Sequence, residues 1–175
     1  METIEVEANE PFLVFEKFKF SAHRIQQSAF EMISDPEVQK QLNLKIGNFF
    51  KSQNALNSKK QLFKIVENLY KAQDLIVDES ARIELAELNL KAAQYTQEQK
   101  NYDLAKEYLT NARNLLNPDR CWESHYDLAI ALYKMLADIE LATEQFEQAE
   151  DYLYLLIEKL NSPLEKSEIA YQIVE

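Results

Sequence analysis

RIELAELNLKAAQYTQEQKNYDLAKEYLTNARNLL, Arg82 to Leu116, decides the fold, because its pattern returns once further along the chain. Ala105, Tyr108, Leu109, Ala112, Leu115 and Leu116 recur at steps of three and four, one apolar stripe of a helix. Leu85, Leu88, Ala92 and Tyr95, with Ala86, Leu90 and Ala93 beside them, make a broader stripe on a preceding helix. Only the polar link Gln97 to Asn101 separates the two, so they turn back and pack antiparallel. Forty-four residues on, Ala93, Tyr102, Ala105, Tyr108 and Leu109 become Ala137, Phe146, Ala149, Tyr152 and Leu153. Small and large residues returning in the same places are a repeat, and repeated hairpins stack.

Composition bounds the rest. At 175 residues the chain can bury a core as one domain with a small appendage. One glycine and four prolines favour helices over a turn-rich β fold. No apolar run is long enough to span a bilayer, and the acidic start Met1 to Glu10 is not a secretory signal. The expectation is therefore a cytoplasmic protein without membrane insertion. Cys121 stands alone, so no internal disulfide forms. The net charge of −11 lies wholly beyond residue 60, because residues 1–60 hold eight basic and eight acidic side chains. An acidic helical array repels phosphate backbones and argues against nucleic acid as a partner. A weaker reading, nucleic-acid binding through the near-neutral residues 10–50, stays open beside it.

Pro11 to Phe20 alternates aromatic and charged residues with period two, which predicts a short hairpin. Ser21 caps a following helix lined by Ile25, Ala29, Met32 and Ile33. Hairpin and helix together look like the wing end of a winged-helix domain. Asp35-Pro36 opens the next helix, with Val38, Leu42, Ile46, Phe49 and Phe50 on its buried side. Gly47 inside it predicts close approach of another helix. Ser52 to Lys60 reads as a linker, and a helix through Leu62, Ile65, Val66, Leu69 and Tyr70 ends near Asp74. Asp78-Glu79-Ser80 starts the first repeat helix, and Asn117-Pro118-Asp119 ends the first hairpin. The second hairpin begins at Trp122, and Ser162-Pro163 starts one more helix through Ile169, Ala170 and Ile173. That helix stops at Glu175 without a polar closing face, which predicts a longer polypeptide or an end that docks on a partner.

Chemistry-bearing residues are sparse. A single glycine provides no phosphate-cradling loop. His23, Cys121 and His125 are the candidate nitrogen and sulfur ligands. Cys121 and His125 could share a helix face at i and i+4, but two ligands fall short of a zinc site. Tyr95, Tyr102, Tyr108, Tyr126, Tyr133 and Tyr152 at helical spacing read as inter-helix packing rather than a binding lane. No catalytic residue, cofactor or metal is assigned. If Ala93 and Ala137 mark the tight contact within each hairpin, Glu87, Gln94, Lys134 and Asp138 point into a partner-binding groove.

Several motifs resemble one family. Phe18-Lys19-Phe20 with Arg24-Ile25-Gln26-Gln27-Ser28-Ala29-Phe30 resembles Y-x-F-x-H-D-R-I-Q-Q-A-A-Y, whose His-Asp pair reads Ala22-His23 here. Leu42-Asn43-Leu44-Lys45-Ile46-Gly47 is similar to L-H-L-x-I-G. Residues Arg82 to Ala92 resemble R-x-x-L-A-x-L-N-L-x-A-G, and Trp122-Glu123, Tyr126, Leu128 and Phe146 to Glu150 continue the match. These motifs belong to multidomain bacterial signalling proteins in which a STAND-type ATPase precedes a tetratricopeptide-like helical region. Serine/threonine kinase, GAF and histidine kinase modules are often fused to it. The resemblance covers roughly residue 12 to the end, and its period of 44 exceeds the roughly 34 residues of ordinary tetratricopeptide repeats.

The expected fold is thus all-α, a tetratricopeptide-like repeat of antiparallel hairpins with a short N-terminal β-hairpin and helix. Its parts are a winged-helix remnant over 1–34, connecting helices over 35–76, and the repeats over 77–175. The expected function is a non-catalytic, protein-binding regulatory module of a signal-transduction ATPase or kinase system. The alternative is a fragment of a multidomain ATP-binding serine/threonine or histidine kinase whose catalytic domains lie outside this chain. Its partner would be a domain of such a system or a peptide segment; the sequence names neither it nor an oligomeric state.

Overall fold

The computed structural model describes residues 35–52 and 58–174. The expected wing hairpin, Ser21 cap and helix over 1–34 lie outside the described residues, as does the middle of the linker. The chain divides into two compact units, residues 1–39 and 40–175.

Every regular element among the described residues is helical. In chain order they are α1 (Pro36–Ser52), α2 (Lys59–Lys71), a 3-10 turn (Gln73–Leu75), α3 (Glu79–Glu98) and α4 (Tyr102–Leu115). Then follow the single turn α5 (Cys121–Ser124), α6 (Tyr126–Ala142), α7 (Phe146–Lys159) and α8 (Pro163–Val174). Caps mark the expected starts. The Asp35 carboxylate accepts from Glu37 N–H at 2.9 Å, and Asp78 accepts from Ala81 N–H at 2.8 Å.

In α1 the tightly buried line runs through Asn43 and Gly47, whereas Val38 and Phe49 are largely exposed. This corrects the expected buried side at Val38 and Phe49, while Leu42, Ile46 and Phe50 are half-buried, and Gly47 marks where another helix meets α1. A Cβ there would stand 2.5 Å from Leu69 Cδ2 and 3.2 Å from the Leu69 backbone nitrogen, so α2 seats directly on α1. Lys64 Nζ lies 5.0 Å from the Phe50 ring centre, and Lys51 pairs with Glu84 of α3. α2 ends at Lys71, three residues before the expected Asp74, and the 3-10 turn carries the chain on.

α3 is apolar on most sides because it touches α2, α4 and α6. Leu85, Ala86, Leu88, Leu90, Ala92 and Ala93 are all buried in it. Alanines at 92, 93, 105 and 112 are fully buried and let α3 and α4 approach closely. A continuous core runs from Leu62 to Ile139, and a smaller cluster joins Ala137, Leu153, Leu156, Leu160 and Ile169. Burying each such leucine contributes roughly 1.5–3 kcal/mol.

The two hairpins, α3–α4 and α6–α7, close with the same turn. Lys100 and Glu144, 44 residues apart, both take positive φ, at 58° and 59°. Lys100 N–H donates to Gln97 O at 2.7 Å and Asn101 N–H to Thr96 O at 3.0 Å. Glu144 N–H donates to Leu141 O at 3.1 Å and Gln145 N–H to Glu140 O at 2.8 Å. Both are Schellman closures, in which a left-handed residue lets two N–H groups cap the last carbonyls.

The second hairpin does not begin as one helix at Trp122. His125, at φ −138° and ψ 45°, separates the α5 turn from α6. The kink leaves Trp122 stacked on Tyr133, ring centres 5.1 Å apart, and Tyr133 5.9 Å from Tyr152.

Candidate functional site

The four expected groove residues lie on the first helix of each hairpin. Glu87 and Gln94 are exposed on α3; Asp138 is exposed and Lys134 half-buried on α6. Gln94 and Asp138 lie 44 residues apart, the same spacing as Lys100 and Glu144. Lys134 is engaged: its Nζ stands 3.3 Å from Glu165 Oε1 of α8. The segment leading to α8 is also tied to α6, by Asn161 N–H donating to the Tyr126 hydroxyl at 2.8 Å. Packing around Asp138 desolvates its carboxyl and raises its pKa, against the lowering pull of Lys134. Of these four residues, Glu87 and Asp138 are exposed carboxylates, and the one cation, Lys134, is bound by the last helix.

A cleft of about 480 Å³ opens elsewhere, at the start of α3 beside the α4–α5 link. Its walls include Arg82, Ile83, Asn117, Arg120 and both Cys121 and His125. The sequence pairs those two as potential ligands on one helix face, but His125 sits in the break after α5. Cys121 is buried, its Sγ is 3.6 Å from Pro118 O, and burial raises the thiol pKa, which keeps it unreactive. Among the described residues no three His, Cys, Asp or Glu side chains gather as a metal site; His23 lies outside them. Arg82 Nε reaches Leu115 O at 3.4 Å and Arg120 stands 4.0 Å from Glu79, so both arginines already have partners.

Sequence reasoning missed the polar contact that joins the hairpins. Glu140 of α6 is 1% exposed, and Lys106 Nζ of α4 lies 2.6 Å from its Oε1. In the first hairpin that position is Thr96, whose hydroxyl donates to Ala92 O and Ala93 O within its own helix. A carboxylate at a threonine position inside an apolar stripe was the available signal. Beside it, Arg113 donates to the Tyr152 hydroxyl of α7 at 3.2 Å.

No helix among the described residues is long and apolar enough to cross a membrane. No family model matches the chain, and neither a curated protein nor a solved structure does.

Proposed function

We propose that this chain is a non-catalytic, tetratricopeptide-like protein-interaction module, serving a signal-transduction ATPase or kinase system. The observation that carries the interaction reading is the pair of hairpins with one turn geometry at Lys100 and Glu144, joined across α4 and α6 by Lys106–Glu140. Repeated hairpins of this kind build an extended surface rather than an enclosed reaction centre. The link to ATPase and kinase systems rests on the motif resemblance at Leu42–Gly47, Arg82–Ala92 and Phe146–Glu150.

On this reading the partner is a protein segment lying along α3 and α6, where Glu87, Gln94, Lys134 and Asp138 contribute polar contacts. The test is capture of partner proteins on the immobilised full chain, compared with its Gln94→Ala and Lys134→Glu variants. Loss of a partner in either variant is expected. Equal capture by all three removes the groove. ATP titrated into the full chain is expected to give no saturable signal; a micromolar dissociation constant would instead assign nucleotide chemistry to it.

A further inference from the structure

The first hairpin shows how one hairpin is covered by the next. On α4, Tyr102, Lys106, Thr110 and Arg113 form one stripe at steps of four, four and three. Tyr102 packs into the core, Lys106 pairs with Glu140, and Arg113 binds the Tyr152 hydroxyl. One repeat later the same stripe reads Phe146, Glu150, Tyr154 and Ile157 on α7. Helix α8 covers only its far end, where Ile157 packs with Ile169 and Ile173. The rest is open: Phe146 is 61% and Tyr154 57% exposed, with Glu150 exposed between them. Neither Glu150 nor its exposed neighbours Glu147 and Asp151 has an ion-pair partner among the described residues.

We propose that the Phe146–Glu150–Tyr154 stripe of α7 docks one basic amphipathic helix of a protein partner, seated as α6 is seated on α4. The proposal rests on the protein-interaction reading and names the partner's chemistry. In the covered hairpin a cation on the stripe, Lys106, meets an acid from the covering helix, Glu140. In the open hairpin the stripe carries the acid, Glu150, so the covering helix must bring Lys or Arg to that place. Phe146 and Tyr154 stand one turn to either side, which asks for apolar residues three or four positions from that cation. Glu147 and Asp151 strengthen the preference for a basic helix. A second copy fits poorly, since residues 61–175 carry the whole acidic excess.

The probe is a synthetic peptide of residues 126–145 of this chain carrying Asp127→Lys, Glu140→Lys and Glu144→Lys, which turns its net charge from −3 to +3, compared with the unaltered peptide. Fluorescence anisotropy follows binding to the full chain. The lysine peptide is expected to bind in the micromolar range, about tenfold tighter than the unaltered one. A Glu150→Lys chain is expected to reverse that preference, and Phe146→Ala or Tyr154→Ala to weaken binding at least about fivefold. These side chains are exposed, so the variants keep the fold, which circular dichroism checks. No saturable binding below 1 mM, or a preference indifferent to Glu150→Lys, overturns the proposal. So does self-association of the full chain abolished by Phe146→Asp, which would seat a second copy there. If the probe fails while Gln94→Ala or Lys134→Glu still loses a captured partner, the interaction reading stands and only this assignment falls.

Discussion

The hairpin α3–α4 and the hairpin α6–α7 share a turn but differ in surroundings. Both close through a left-handed residue, Lys100 or Glu144, and both bury the alanine at the helix crossing, Ala105 or Ala149. Around the first hairpin lie α2 on one side and α6 on the other. Tyr108 is accordingly 4% exposed and Tyr102 half-buried, whereas their counterparts Tyr152 and Phe146 are half-buried and open. Identical local geometry therefore coexists with unequal burial. The turn follows from the hairpin itself, and burial follows from what is stacked on it.

The largest expected effect separates the two cores. Leu109→Ala, in the continuous core, should cost about 4 kcal/mol, while Leu153→Ala, in the smaller cluster, should cost about 2–3 kcal/mol by urea unfolding. Equal costs would mean that the second hairpin is as enclosed as the first.

The junction comes next. Lys106→Ala leaves the Glu140 carboxylate buried without its cation and should cost about 3 kcal/mol. Adding Glu140→Thr, which restores the residue type of Thr96, should return most of that stability. A double-mutant cycle with no coupling would remove the Lys106–Glu140 contact as the joint between hairpins.

Burial of Tyr108, then the nearby Glu67 and Glu107 carboxylates, push its phenol pKa up to about 12. A folded-state pKa above the unfolded value of about 10 gives stability that is complete below pH 10 and lost as pH rises through 12. The full loss amounts to about 2–3 kcal/mol. Unfolding of wild type and Tyr108→Phe at pH 9 and pH 11.5 isolates this step from the lysines, and the variant should lose less over that interval.

The smallest effect concerns the turns. Lys100→Gly and Glu144→Gly each relieve a left-handed side-chain residue and should each raise stability by up to about 1 kcal/mol. Similar gains at both sites would sharpen the equivalence of the hairpins.

The helices and their apolar faces were legible in the sequence because period and capping residues agree at Asp78, Ala105 and Leu109. Gly47 announced the approach of a second helix, and Leu69 is what meets it. Three features were hidden. The left-handed residues are Lys and Glu, which carry no conformational signature, unlike the glycine usual at that position. The break at His125 interrupts a pattern whose apolar spacing runs on unchanged. Lys134 looked free because its partner Glu165 lies 31 residues away in another helix. Glu87, Gln94 and Asp138 face outward, as polar positions on an amphipathic helix do, whereas ion-pair partners depend on tertiary contacts that periodicity does not encode.

The central claim, that one hairpin geometry is used twice, is tested most directly by NMR at the two turns. Backbone chemical shifts are expected to give positive φ at both Lys100 and Glu144, with the Asn101 and Gln145 amides slow to exchange. Negative φ or rapid exchange at either turn would contradict it.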